Sequence, residues 1–183
     1  ARIPWHYPLV EAATGILFTL VWLSYGYSWA TPAGWVFVAV LVGAAATDLM
    51  HLIIPDELLA AGILAGIPFL LLDSIPGTLW GLFAGLVAGG FMLAIAVVSR
   101  GGMGGGDIKL AAVMGLFLGP KMIGLALCLA FLIGGLVSIA LILSGKKRGK
   151  ELIPFGPYLA LGGILALLRG EQIIKWYLGF WTW

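Results

Sequence analysis

The sequence has little charge. Only 10% of its 183 residues are Asp, Glu, Lys or Arg, whereas 62% are hydrophobic and the mean hydropathy is +1.11. A chain of this length cannot bury so much apolar surface in one water-soluble globule, so the composition predicts an integral membrane protein surrounded by lipids. The net charge of +2, with no strongly basic domain, argues against a nucleic-acid partner.

The sequence also lacks the residues on which many hydrolases and metal sites depend. Its single cysteine excludes an intrachain disulfide and a cysteine-rich metal site. The two histidines, His6 and His51, lie far apart, and the motifs HExxH and GxSxG are absent. We therefore predict no metal site, and any catalytic chemistry has to come from carboxylates.

Long apolar stretches alternate with short polar or glycine-containing breaks. They cover residues 9–29, 33–50, 56–72, 77–99, 121–144 and 153–168, with a shorter stretch at 108–119. A membrane-spanning helix needs about 20 apolar residues, so the short stretch must be thinly covered, buried among other helices or re-entrant. The pattern predicts an all-α, polytopic helix bundle of about seven membrane helices, the short one led by a glycine-rich loop.

The basic residues indicate which face of the bundle is cytoplasmic. If the short stretch crosses the membrane, seven of the ten basic residues share one face, and if it dips and returns the split is six to four. Cytoplasmic loops are enriched in Lys and Arg, so crossing is the better interpretation. The basic face then holds Arg2, Arg100, Lys109, Lys146, Lys147, Arg148 and Lys150. The loops around His51 and the glycine run open on this cytoplasmic face.

One carboxylate, Asp107, lies in the glycine-rich run GGMGGGDIKL between two strongly apolar stretches. Ionisable residues placed near lipid are costly and usually line a cavity or a reaction site. Without Cβ atoms, Gly104, Gly105 and Gly106 can take positive φ angles and can let a substrate backbone approach Asp107. Lys109 lies on another helical face, where it either extends to lipid headgroups or contacts an acidic group of the substrate.

A second carboxylate, Asp48, closes the apolar stretch GWVFVAVLVGAAATD. Near a helix C-terminus an acid is disfavoured by the helix dipole, so its presence there indicates a function. His51 either pairs with Asp48 or is a loop residue. By contrast, Asp56 and Glu57 follow Pro55 at a helix start, where helix capping is the default role of an acid.

Asp48 and Asp107 are predicted to meet at the same membrane face. Two carboxylates at hydrogen-bonding distance share a proton and titrate as a pair. The ionised member can then take a proton from an attacking water, while the protonated member hydrogen-bonds a peptide carbonyl. The pair therefore predicts an aspartic peptidase that needs no metal and no nucleophilic side chain.

Four segments resemble those of one known family. They are YPLVE (residues 7–11), TDLMHLIIPD (47–56), GMGGGDIKL (102–110), which contains a GxGD motif, and PFGPYLALGG (154–163). Their order and spread resemble the bacterial type IV prepilin leader peptidases. The resemblance implies that Asp48 and Asp107 are the catalytic pair of an inner-membrane enzyme whose active site faces the cytoplasm. It also implies cleavage after the glycine that ends the basic leader of prepilins and of type II secretion pseudopilins.

The resemblance carries expectations about cofactors and boundaries. Many family members also N-methylate the new N-terminus with S-adenosylmethionine, and they carry a further N-terminal helix and two CxxC pairs spaced as for zinc. The sequence shows neither of these features. We therefore expect residues 1–8 to be the end of a cytoplasmic segment of a longer protein, or the chain to be a naturally short member, with residues 9–183 as the membrane-embedded peptidase domain.

A transporter is the alternative from another functional class. A glycine-broken helix that carries an acid can bind a proton or a cation, and such breaks mark many transport sites. Asp107 would then act alone. The sequence shows no corresponding broken helix in a second half, which favours the peptidase interpretation.

Overall fold

The computed structural model describes residues 6–100, 102–144 and 154–179. Within these ranges the chain forms six α-helices and no strand. The helices are α1 (His6–Tyr25), α2 (Ala30–His51), α3 (Asp56–Asp73), α4 (Ile75–Val98), α5 (Gly105–Leu143) and α6 (Gly156–Gly179). Four of them, α1, α2, α4 and α5, are long and apolar enough to cross a membrane. The predicted class, an all-α multi-pass membrane protein, is confirmed.

The longest helix, α5, contains a sharp break. Gly119 has φ 69° and ψ 177°, a conformation that glycine adopts easily, and Pro120 follows it. Asp107 and Ser138 line the same cavity, although a straight helix would place them on the order of 45 Å apart. The chain therefore reverses direction at Gly119, and α5 consists of two antiparallel arms, residues 105–118 and 120–143.

The first arm of α5 is the short apolar stretch of the sequence. It packs antiparallel to α4, with Gly81 against Leu116 and Gly89 against Ala112. At its far end, Gly119 shares a cavity with Asp73 of the α3–α4 turn. The arm thus runs from one end of the bundle to the other, which is the arrangement that the basic-residue count favoured. The structure has six helices because it joins the two arms of α5; seven membrane crossings stay a prediction.

Glycines allow the central helices to approach one another closely. A Cβ atom at Gly81 would overlap the carbonyl oxygen of Leu116, and one at Gly162 would overlap that of Ala126. In lipid, where apolar burial gives no advantage to protein over bilayer, such close packing drives helix association. Accordingly α5 packs mainly against α4 and α6, α2 packs against α6 and α3, and α1 packs mainly against α2.

The two ends of the helix bundle carry different sets of residues. Helix α6 continues past the apolar stretch that ends at residue 168 and reaches Gly179. At this end of the bundle the hydroxyl of Tyr25 donates a hydrogen bond to the carbonyl of Leu167 (2.8 Å). The basic cluster at 146–150 and Arg2 lie outside the described residues. Of the basic residues predicted to be cytoplasmic, Arg100 and Lys109 are described, and both lie at the opposite end, near residue 107.

Candidate active site

Asp48 lies in the last turn of α2 and is only 6% exposed. Its Oδ2 atom accepts a hydrogen bond from the backbone N–H of Gly156, the first residue of α6, at 2.8 Å. The N-terminus of a helix carries unpaired N–H groups and the positive end of the helix dipole. The N-terminus of α6 therefore supplies the positive partner that Asp48 cannot obtain from its own helix.

Gly156 can make this contact only because it has no side chain. A Cβ atom there would lie 2.8 Å from Oδ2 of Asp48 and 3.0 Å from its Cβ. The sequence analysis did not identify Gly156 as a site residue, although it lies in the segment PFGPYLALGG that carried part of the resemblance. Gly156 lies 108 positions from Asp48 in the sequence, so the residues around Asp48 give no indication of this hydrogen bond.

Asp107 lies in the first turn of α5, after the N-cap residue Gly104, and is 8% exposed. The backbone N–H of Gly104 hydrogen-bonds its carboxylate, and the N–H of Asp107 donates in return to the carbonyl of Gly104 (3.2 Å). The other carboxylate oxygen, Oδ1, is buried and has no hydrogen-bond partner among the described residues. A buried acceptor without a partner is costly, so this oxygen is available to a ligand or a water.

The structure places the two carboxylates at one cavity, whereas the catalytic role of the pair stays a prediction. Asp48 and Asp107 line one cavity of about 360 Å³ and interact electrostatically. The wall of this cavity combines the end of α2, the glycine loop, both arms of α5 and the start of α6. Its other lining residues are Leu52, Gly102, Met103, Gly104, Phe131, Ser138, Pro154, Phe155 and Tyr158. The arrangement can hold a short extended peptide segment against two acids.

The loop glycines do not use the positive φ angles that glycine permits. Gly104 has φ −69°, and Gly105 and Gly106 are helical residues of α5, so none of the three has a positive φ. Tertiary packing explains the glycine at position 106, where a Cβ atom would lie 2.9 Å from Cβ of Ile54. At Gly104 the Cβ atom would lie 3.2 Å from Oδ2 of Asp107, whereas at Gly105 it would have open space. Close packing therefore explains the glycines at 104 and 106 but not the one at 105.

Lys109 has a partner that the sequence analysis did not weigh. Its Nζ atom forms an ion pair with both carboxylate oxygens of Asp56, at 2.6 and 2.8 Å. Both side chains are more than half exposed. Asp56 does begin α3, but the N-cap position is Pro55, which makes no side-chain cap hydrogen bond. Asp56 therefore links α3 to α5, and a substrate contact by Lys109 stays a prediction.

The residues that follow Asp48 close helix α2. His51 is exposed in the last turn, whereas Asp48 is buried and bonded to Gly156, so the structure favours the interpretation of His51 as a surface residue. Leu52 caps the helix with a left-handed backbone (φ 55°), and its N–H donates to the carbonyl of Asp48. This cap ends the helix directly beside the carboxylate and turns the chain toward the cavity wall.

Comparison with known proteins identifies the family. The model of the type IV leader peptidase family matches residues 35–139, a range that includes both buried acids. The chain belongs to this family. No solved structure matches it. The predicted start of the membrane-embedded peptidase domain at residue 9 lies outside the matched range and stays a prediction.

Relatives of this leader peptidase family member are similar over almost all of its length. A protein of Bacillus subtilis (strain 168) is 38% identical over 181 residues, which cover 97% of this chain and 71% of the relative. A protein of Aeromonas hydrophila is 37% identical, with 97% and 63% covered, and one of Pseudomonas aeruginosa is 34% identical, with 98% and 64% covered. All three are named prepilin leader peptidase/N-methyltransferase. The chain thus spans between three fifths and three quarters of their lengths.

Proposed function

We propose that this chain is the peptidase part of a prepilin leader peptidase. It hydrolyses the peptide bond after the glycine at the end of the basic leader of type IV prepilins and type II secretion pseudopilins. The observation that carries the proposal is the cavity in which Asp48 and Asp107 meet, with one oxygen of Asp107 buried and unpartnered. The names of the relatives support the substrate class.

The proposed chemistry uses the two acids in complementary protonation states. One carboxylate takes a proton from water as the water oxygen bonds to the scissile carbonyl carbon, and the protonated acid hydrogen-bonds the carbonyl oxygen. A proton then passes to the leaving nitrogen as the C–N bond breaks. The products are a carboxylic acid and an amine, and the pair returns to its starting state. The unpartnered Oδ1 of Asp107 is a suitable acceptor for the water.

The placement of the cavity supports access from the cytoplasm. The cavity lies at the end of the bundle that carries Arg100 and Lys109, whereas Lys121, Arg169 and Lys175 belong to the other end. In the sequence, Arg2 precedes α1 and the basic cluster at 146–150 lies between α5 and α6, so the count over the whole sequence is seven to three in favour of the cavity end. The positive-inside rule then favours this end as the cytoplasmic one. A prepilin presents its basic leader on that side, next to an apolar helix that remains in the bilayer. The scissile bond would then lie at the depth of Asp48 and Asp107 in the bundle.

The position of the site disfavours the transporter alternative. Transport sites in broken helices lie near the bilayer midplane. Here the break in α5, at Gly119, lies at the opposite end of the first arm from Asp107. The peptidase chemistry requires no cofactor. S-adenosylmethionine for N-methylation, and zinc in a preceding CxxC segment, are proposed only for a longer form of the protein.

A cleavage assay with purified protein in detergent or lipid tests the proposal. We expect Asp48→Asn and Asp107→Asn each to reduce leader removal from a prepilin by about 10²–10⁴-fold, the loss that removal of an acid–base group typically causes. Asp56→Asn is the matched control, since this acid lies outside the cavity, and it should affect mainly stability. Undiminished cleavage by either Asp48→Asn or Asp107→Asn would refute the proposal that the two acids act as a catalytic pair. A proton-coupled flux in vesicles that Asp107→Asn alone abolishes would instead establish the transporter.

A further inference from the structure

The cavity contains two polar side chains, those of Ser138 and Tyr158, that the proposed chemistry does not use. Among the lining residues, the side chains that can hydrogen-bond strongly are those of Asp48, Asp107, Ser138 and Tyr158. The Ser138 hydroxyl already donates to the carbonyl of Gly134, one helical turn earlier, at 2.7 Å. The Tyr158 hydroxyl has no hydrogen-bond partner in the described part of the chain. Tyr158 therefore provides the uncommitted side-chain donor of the cavity.

The surroundings of Tyr158 hold its ring in place. Tyr158 lies in the first turn of α6, two residues after Gly156, whose N–H binds Asp48. Its ring packs near that of Phe155, with centroids 6.3 Å apart, and Phe155 packs on Phe131. A Cβ atom at Gly134 would lie 3.1 Å from Cδ2 of Tyr158, so the glycine makes room for the ring. The same helix turn thus positions one acid and one phenol.

We propose that the Tyr158 hydroxyl donates a hydrogen bond to the carbonyl oxygen of the scissile peptide bond. The inference rests on the proposed function. Attack by water turns this oxygen into a developing oxyanion, and a fixed donor that strengthens its bond at that moment lowers the barrier. The protonated acid supplies one donor to the oxygen, and Tyr158 supplies a second. The phenol keeps its proton throughout, so it makes and breaks no covalent bond.

The test is Tyr158→Phe, which removes the donor and keeps the ring. Loss of one oxyanion donor costs about 10²–10³-fold in kcat, and we expect a loss of about this size. KM should change by no more than a few-fold. Tyr25→Phe is the matched control, because its hydroxyl binds a backbone carbonyl at the other end of the bundle, and its kcat should equal that of the unmodified protein.

Two results would overturn the inference. If the Tyr158→Phe protein keeps its kcat, the hydroxyl takes no part in catalysis. If KM rises while kcat stays the same, the hydroxyl contacts only the bound substrate and not the transition state. If the Tyr158→Phe protein unfolds at a lower temperature, its loss of activity could come from loss of structure. Incorporation of 3-fluorotyrosine at position 158 separates the two causes, because it keeps the ring and the donor but makes the phenol more acidic. An altered kcat then supports the proposal, and an unchanged kcat refutes it.

The assay separates this inference from the proposed function. If Asp48→Asn and Asp107→Asn are inactive while Tyr158→Phe cleaves normally, the peptidase assignment stands and the role of Tyr158 fails. If the aspartate variants still cleave, the pair itself is wrong, and the effect of Tyr158→Phe no longer bears on an oxyanion. Each pattern of results therefore identifies which of the two statements is at fault.

Discussion

Substitution of Gly156 by alanine should disturb Asp48 without removing any functional group. The new Cβ atom would lie 2.8, 3.0 and 3.1 Å from Oδ2, Cβ and Cγ of Asp48, where ordinary contacts begin at 3.4 Å. The Asp48 side chain or the start of α6 must then move by 0.3–0.6 Å. The movement displaces the carboxylate from the Gly156 N–H that now binds it at 2.8 Å.

The expected loss of activity is larger than the expected loss of stability. Misplacement of a reacting group by about 1 Å can cost on the order of 10²-fold in rate, so a shift of about half that size should lower kcat by roughly 10-fold or more. Overpacking costs about 1–3 kcal/mol, and the better helix propensity of alanine returns up to about 1 kcal/mol. The protein should therefore remain folded while it cleaves slowly.

Prepilin cleavage and thermal unfolding, measured on the same detergent preparation, check this prediction. Gly105→Ala is the matched control, because it also introduces alanine near an acid, at the start of α5, but has no atom within 4 Å of the new Cβ. We expect it to cleave at the normal rate. A folded Gly156→Ala protein with normal kcat would refute the reasoning, since it would show that the position of Asp48 does not depend on α6.

Two further predictions concern packing and the exposed ion pair. Gly81→Ala should destabilise the bundle by about 3 kcal/mol or more, because its Cβ atom would meet the backbone of α5. Gly90→Ala, on the same helix, places its Cβ atom in open space and should not destabilise the protein. The unfolding temperatures of the two variants test this prediction. Lys109→Met and Asp56→Asn should each cost at most about 1 kcal/mol and leave cleavage within a few-fold, because the pair is exposed. A cleavage defect with Lys109→Met alone would instead show that Lys109 contacts the substrate.

The sequence was sufficient to identify the two acids and the helical class. Asp48 and Asp107 stand out because each interrupts an apolar stretch, and the cost of that placement is a property of the residue and its neighbours. The apolar stretches likewise follow from composition and length. Both kinds of inference need only local information, which explains why they agree with the structure.

The interactions around the acids could not be predicted in the same way. The Asp48–Gly156 hydrogen bond joins residues 108 positions apart, and the Lys109–Asp56 pair joins residues 53 apart. The conformation of Gly104, Gly105 and Gly106 could not be chosen from the sequence, because glycine permits many φ angles, and none of the three is positive in the structure. Only at Gly106 does the close approach of Ile54 explain the residue type. Contacts between distant segments, rather than local preferences, therefore determine how the acids are held.

The helix ends around the cavity are suited to negative charge. The N-termini of α5 and α6 both point at the acids, and each carries the equivalent of about half a positive charge, whereas the C-terminus of α2 contributes about half a negative charge. The sum leaves roughly half a positive charge facing the cavity. Such fixed dipoles stabilise one carboxylate in the site, and in the proposed hydrolysis they would also stabilise the substrate oxygen that becomes negative. A pair of acids placed in the middle of two helices would lack this field, which gives a physical reason for building the site where three helices begin or end.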